Sequence, residues 1–402
     1  MGSILAPAPK RRRLLQLAMA PLVCAGPAWG QQAVRQFKGE IRLGQTMPYS
    51  GPLSALSPVG KVQSRYFTML NEAGGVNGRS VRLISLDDNY NPAKAVEQTR
   101  NLVERERVLA MFSSMGTAQN AAVQKYLNSR KIPQLFVYAG SDRFADPQNY
   151  PYTLPGLPTF SLEASAYAEY VHRVKPAAKV AVLYQNDDFG KEYLAAFKER
   201  LRQLGSKVAV AAVAAYEVTA PTIESQVISL AASKADVFMN VTTPKFTIQA
   251  IRKVSDLGWQ PLHILPIASN FIPTVLRVAG LEKCIGLVSS TPSKTAGDPE
   301  WEDDAEYRKW LAFMKKYYPE GDTTEQLNFA GYSMAVLMTE VLRRCGDDLT
   351  SARIMKEATS LQEVALPHLI PGITVSTSAT NYQTIRQLRL QRFDGKLWVP
   401  LA

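Results

Sequence analysis

The sequence predicts an α/β protein built as two doubly wound parallel-sheet lobes joined by three crossings. Short apolar runs suited to buried strands alternate with stretches of helical periodicity, the pattern of a parallel sheet covered on both faces. Eight or more such units in 402 residues exceed one ordinary sheet, so the chain divides in two. Three turn-rich segments interrupt the alternation, at Pro151–Pro158, Ser289–Ser293 and Leu369–Ile373. With these as crossings, residues 38–154 and 291–372 make the first lobe, and residues 155–290 and 373–402 the second.

In order, Glu40–Met47 alternates as a first strand and runs into the turn-rich Pro48-Tyr49-Ser50-Gly51-Pro52. Val59, Val62, Tyr66, Met69, Leu70 and Ala73 share one helical face, and Gly74-Gly75-Val76-Asn77-Gly78 ends that helix. Val81–Leu86 is the second strand and closes on Asp87-Asp88-Asn89. Pro92 opens the next helix at a position where its missing N–H costs nothing. Ala95, Val96, Thr99, Leu102 and Val103 face inward, and Arg100 with Glu104-Arg105-Glu106-Arg107 forms the solvated face.

Val108–Phe112 then reads as a strand buried on both faces, and Ala121, Ala122, Val123, Tyr126 and Leu127 recur with helical spacing up to Ser129. Between them Gly116 makes the turn and Thr117 is the candidate N-cap. A strand that leads through such a turn into a helix aims backbone N–H groups and the positive helix end at one point. That point suits a small anion such as a carboxylate. A second turn of the same kind, Ala139-Gly140-Ser141-Asp142, follows the next strand at Ile132–Val137. Further strands are expected at 177–184, 207–215, 236–241, 262–266 and 286–290, with helices at 161–174, 189–204, 221–233, 244–257 and 303–317. Residues 385–399 close the chain as a hairpin around Asp394-Gly395.

The N-terminus reads as a secretory leader over residues 1–30. Lys10-Arg11-Arg12-Arg13 precedes an apolar run, and Ala28-Trp29-Gly30 resembles a cleavage site before Gln31. The paired arginines leave both Sec and twin-arginine export open. Cys24 follows Val23, where lipidation wants a small residue, so no lipid anchor is read. Losing the leader removes four positive charges and takes the formal net charge from +11 to +7. Lysine and arginine are scattered, with no basic run interleaved with aromatics, so no nucleic-acid partner is expected. Cys284 and Cys345 remain, and whether they pair stays open.

No catalytic constellation assembles. His172, His263 and His368 are scattered without metal-ligand spacing, and no Gly-x-Ser-x-Gly elbow occurs. Gly60-Lys61 lacks the upstream glycine of a phosphate loop, and Val62 stands where serine or threonine is needed. Asp87-Asp88 and Asp187-Asp188 are paired carboxylates at strand ends, more simply read as turn and helix caps.

The leader, Ser50-Gly51-Pro52, Asn71-Glu72-Ala73-Gly74-Gly75-Val76-Asn77-Gly78 followed by Asp87-Asp88, and Tyr184-Gln185-Asn186-Asp187-Asp188-Phe189-Gly190 together resemble the periplasmic leucine/isoleucine/valine-binding proteins. The resemblance runs over nearly the whole mature chain, and more narrowly points to a branch of that family with diverse ligands. It implies the type I periplasmic binding protein fold. It also implies a periplasmic solute-binding protein that closes on a small ligand and hands it to the permease subunits of an ABC importer. No enzyme and no cofactor are expected, and a monomer is expected because delivery to a transporter needs no oligomer.

Carried over position by position, Thr117 matches the family's hydroxyl residue at a helix start, which holds the ligand carboxylate. Ala139, Gly140 and Ser141 fall in the turn that supplies a carbonyl and a further hydroxyl, and Phe189 matches an aromatic that covers the ligand. Leu56 stands where many members have a tyrosine, and Thr242-Thr243 where another is expected. Ile267-Ala268-Ser269 stands where amino-acid binders have a glutamate for the ligand ammonium. An ammonium buried without a partner is costly, so the expected ligand is a small carboxylate with an aliphatic or aromatic body. The alternatives are a branched-chain amino acid, with Asp187, Asp188 or Asn270 replacing the missing acid, and a ligand-sensing module of a membrane receptor. A secreted α/β hydrolase is disfavoured by the missing nucleophile.

Overall fold

The computed structural model describes residues 1–3 and 38–401. The leader expected over residues 1–30 therefore lies, from residue 4 on, outside the described residues. Strands β1 (Glu40–Met47), β2 (Ser80–Asp87), β3 (Ala110–Phe112), β4 (Gln134–Val137) and β5 (Thr153–Pro155) form one sheet in the order β2-β1-β3-β4-β5, all pairs parallel. A second sheet has the order β12-β11-β10-β9-β8-β6-β7. Its strands are β6 (Lys179–Gln185), β7 (Ala209–Tyr216), β8 (Val237–Val241), β9 (Leu262–Ile264), β10 (Val288–Thr291), β11 (Arg389–Phe393) and β12 (Trp398–Pro400). β6 to β10 pair in parallel, and β11–β12 is an antiparallel hairpin at the edge. The chain adopts the expected class.

The helices are α1 (Pro58–Glu72), α2 (Pro92–Arg100), α3 (Thr117–Ser129), α4 (Phe160–Val174), α5 (Asp188–Gln203), α6 (Glu224–Ala232), α7 (Pro244–Asp256), α8 (Arg277–Ala279), α9 (Ala305–Tyr317), α10 (Gln326–Cys345) and α11 (Ser351–Ala358). Their starts follow local chemistry. Asn91 accepts from the backbone N–H of Ala93 and Lys94 to cap α2, Thr159 caps α4, and Asp304 caps α9. Proline opens α1, α2 and α7.

α10 has no counterpart in the periodicity reading. It packs against α1 and the first sheet and buries Leu327, Phe329, Met334, Leu337, Met338 and Val341 around its whole circumference. A helix that is apolar on every side presents no single stripe to read. Its Phe329 stacks on Trp310 of α9 with ring centroids 4.5 Å apart.

Core membership moves one expected border. Val375, Tyr382 and Ile385 pack in the first sheet's cluster, with Phe67, Leu154 and Phe329. The chain therefore stays with the first core well past Ile373, and it joins the second sheet only at β11. The first expected crossing, Pro151–Pro158, contains β5, the last strand of the first sheet, and the second, Ser289–Ser293, overlaps most of β10. Cys284 and Cys345 are buried free thiols that sit in separate clusters. Among the described residues no helix is long and apolar enough to cross a membrane.

Candidate functional site: a cleft at the strand ends

A cavity of about 130 Å³ opens where parallel strands of both sheets end. Met115-Gly116-Thr117 follows β3, Tyr138-Ala139-Gly140 follows β4, Thr243 follows β8, Ile267-Ala268 follows β9, and Thr291 ends β10. Carboxyl ends of strands are where open α/β sheets leave room for ligands, because the loops there diverge from the layer of helices. Leu53, Leu56, Phe160, Phe189, Phe271 and Leu327 supply most of the remaining wall.

The α3 start differs from the expected cap. Gly116 is the N-cap, at φ 98°, and Thr117 is the first helical residue. A β-carbon at Gly116 would be strained at that φ and would collide with the Gln119 amide. Having no side chain, Gly116 leaves the first turn of α3 without a side-chain cap, and both Gly116 and Thr117 face the cavity. The helix start thus keeps its donors and its positive end for whatever fills the cleft. Thr117 is buried, only 2% exposed, at the edge of that cavity.

Of the other expected site residues, Leu56, Ala139, Gly140, Phe189 and Ala268 line the cavity. Ser141 and Thr242 do not. The Ser141 hydroxyl donates to Glu192 Oε1 at 2.6 Å, and the Thr242 hydroxyl donates to Asn240 Oδ1 at 2.7 Å. The neighbouring Thr243 lines the cavity instead.

The cavity wall does carry one acid, from outside the 267–269 segment. Glu163, in the first turn of α4, is the sole aspartate or glutamate in the cavity lining among the described residues. Its Oε1 lies 2.5 Å from the Tyr167 hydroxyl, 3.1 Å from the Ser290 hydroxyl, and 2.7 Å from the Ile267 backbone N–H. The Tyr193 hydroxyl donates to Oε2. Burial raises the Glu163 pKa, and these four donors oppose the rise by favouring the carboxylate. In sequence, Glu163 looks like an ordinary acidic residue near a helix N-terminus. Nothing local points to partners as distant as Ser290.

The other acids considered at sequence level serve structure. Asp187 caps α5 through the Gly190 N–H and accepts from Gln185 Nε2 at 2.5 Å, while Asp188 pairs with Arg143 at 3.2 Å. Asn270 does line the cavity, with Nδ2 donating to Ser289 Oγ at 3.0 Å. Among the described residues no lysine or arginine lines the cavity, and burial lowers the His368 pKa to about 3, so that imidazole is neutral.

Asp88, beside the cavity-lining Tyr90, gives a pH test. Its carboxyl is buried, with Oδ1 on the Tyr90 N–H at 2.8 Å, and burial raises its pKa to about 6 against the lowering by the Tyr90 N–H and the Thr46 hydroxyl. A carboxyl raised by folding contributes stability below its unfolded pKa and loses it as pH rises through the folded value. The loss spans about pH 4 to 6 and amounts to about 3 kcal/mol at roughly 1.4 kcal/mol per unit. Urea midpoints across that range should fall less steeply in Asp88→Asn than in the parent. Parallel slopes would mean that Asp88 does not titrate there.

The fold has parallels among known proteins. A family model described as periplasmic binding protein matches residues 40–396. The Leu/Ile/Val-binding protein homolog 7 of Brucella melitensis is 22% identical over 275 residues, which is 65% of this chain and 64% of that relative's length. Among solved structures, a branched chain amino acid ABC transporter protein from Thermus thermophilus with bound valine superposes with a TM-score of 0.82 at 18% identity, covering 91% of this chain and 96% of that one. A fatty acid ABC transporter substrate-binding protein from Thermomonospora curvata superposes at 0.74 with 19% identity, covering 91% and 92%. At these identities the structures attest to the fold, and the family match extends over nearly every residue from β1 to the closing hairpin. The chain therefore belongs to the periplasmic binding protein family.

Proposed function

We propose that this protein captures a small carboxylate with an aliphatic or aromatic body in the periplasm and, as a monomer, delivers it to the permease subunits of an ABC importer. The observation that carries this is the composition of the cleft: an uncapped helix start with Thr117 at its edge, in a wall otherwise made mostly of Leu53, Leu56, Met115, Phe160, Phe189 and Phe271. The helix end and hydroxyl suit the carboxylate. The apolar wall suits a hydrocarbon body, worth about 25 cal/mol per Å² buried before association costs. The likeness to a fatty acid transporter's binding protein supports this reading.

Glu163 favours a second reading. It is a carboxylate in the cleft wall with no lysine or arginine beside it among the described residues, and a branched-chain amino acid would bring an ammonium to that place. The Brucella relative and the valine-bound neighbour support that alternative. Calorimetry with 4-methylpentanoate and leucine separates the two. On the first reading 4-methylpentanoate binds more tightly, because the four donors already on Glu163 leave leucine's ammonium poorly compensated. Tighter binding of leucine, lost in Glu163→Gln, would establish the second.

Thr117→Ala is expected to weaken the bound carboxylate by roughly tenfold, the scale of one hydrogen bond to a charged group. Its stability should barely change, since Gly116 and not Thr117 occupies the cap. A loss of stability with unchanged affinity would remove Thr117 from the site.

A further inference from the structure

The turn after β4 is tied to the opposite lobe by side chains that the ligand site does not use. Glu192, on α5, takes the Ser141 hydroxyl on Oε1 at 2.6 Å and the Asp142 backbone N–H on Oε2 at 3.3 Å. One turn earlier on the same helix, Asp188 pairs with Arg143 at 3.2 Å. Ser141 is fully buried, and Arg143 and Asp188 are partly exposed, so the Glu192 contacts are the better shielded of the two sets. The residues just before Ser141, Ala139 and Gly140, line the cavity from the first lobe. Phe189, three residues before Glu192, lines it from the second. At that spacing Phe189 and Glu192 lie on neighbouring positions of one helix face.

We propose that Glu192 is a positioning residue that latches the two lobes: by holding Ser141 and Asp142 it fixes Phe189 over the cleft, and so governs how long a bound solute stays. Its carboxylate matches the arrangement by chemistry, because an ionised carboxylate accepts a hydroxyl and an amide at once. Burial raises its pKa, Ser141 lowers it, and the neighbouring Asp142 and Asp188 raise it further. Asp142 is itself held from the second lobe, where the Ser161 hydroxyl donates to it at 2.5 Å. That bond sits beside the first crossing, so it can persist while α5 swings away. Glu192 is placed farther along α5, where separation of the lobes has to break its bonds. On the far edge of the cleft, the Thr274 hydroxyl donates to Glu325 across the same gap. Closure is thus gripped on two sides.

The latch deepens the solute-binding reading and rests on it, but two of its readouts need no ligand. In the ligand-free protein, hydrogen exchange at the Asp142 amide reports the latch directly, and small-angle scattering reports lobe separation. Glu192→Ala should speed that exchange at least tenfold and enlarge the radius of gyration, with Glu192→Gln between it and the parent, because the amide keeps one acceptor. Ser141→Ala should enlarge the radius on its own and add little in the Glu192→Ala background, as expected for two halves of one contact. With 4-methylpentanoate as probe, Glu192→Ala should raise the dissociation rate about tenfold while the association rate holds. Unchanged exchange and radius in Glu192→Ala would overturn the latch. If those two change as expected while 4-methylpentanoate fails to bind the parent, the latch stands and the ligand class falls.

Discussion

Glu163→Ala is expected to destabilise the protein by about 3 kcal/mol, among the larger single-residue effects in the chain. The carboxylate gathers donors from three parts of the second lobe: Tyr167 on its own helix α4, Tyr193 on α5, and Ile267 with Ser290 at the ends of β9 and β10. Removing it strands several buried donors at once, at about 1–3 kcal/mol for each that finds no substitute. Two losses are softened. Tyr167 retains the Leu265 carbonyl at 2.8 Å, and water can enter from the adjoining cavity. Glu163→Gln keeps one acceptor and should cost about half as much. Thermal or urea unfolding at neutral pH measures both. A Glu163→Ala midpoint within error of the parent would mean that the carboxylate's own desolvation cancels what its donors contribute. The glutamine variant, which folds more nearly as the parent does, is then the clean probe of whether a ligand ammonium needs this group.

Gly190→Ala should be comparably severe for a steric reason. Gly190 lies in the first turn of α5, where the helix leaves β6. A β-carbon there would sit inside the contact distance of the Gln185 carbonyl oxygen and 2.8 Å from the Gln185 nitrogen. Both are backbone atoms, so no side-chain rotation relieves the clash, and α5 must move off the strand. Overpacking of this kind costs about 3 kcal/mol. The shift also carries Phe189 and the cap formed by Asp187, so solute affinity should fall together with the urea midpoint. An unaltered midpoint would mean that the strand-to-helix joint is looser than these distances indicate.

The paired carboxylates illustrate how far short motifs can be read. Asp87 accepts from the Ser50 N–H and hydroxyl, the Asn89 N–H and Lys94, which is the work of a turn, and Asp187 caps α5. The Asn89 and Lys94 contacts and the Asp187 cap are local, as Asx-type turns and caps satisfy backbone donors within a few positions, whereas Ser50 reaches Asp87 from 37 positions away. The helix faces of α1 and α2 were legible because one side is wet and one is dry, so the period is written into the residues. α10 has no wet side, and its existence emerges only when α1, α9 and the first sheet surround it.

By itself, the sequence determined the α/β class, the strand-turn-helix joint at Phe112–Thr117, and the presence of Leu56, Ala139, Gly140, Phe189 and Ala268 around one cleft. These follow from local periodicity, from turn chemistry, and from a resemblance whose motifs sit in those joints. Only the tertiary structure decided that Gly116 rather than Thr117 caps α3, and that Ser141 turns toward Glu192 instead of the cleft. It likewise decided that the cleft's carboxylate comes from α4, and that the chain stays with the first core as far as Ile385. The physical reason is common to all four. A side chain's direction within a turn, and the partner a buried polar group finds, are set by which distant segments pack against it. Ser141 and Glu192 are 51 positions apart, and Glu163 and Ser290 are 127 apart, well beyond any pattern that neighbouring residues can carry.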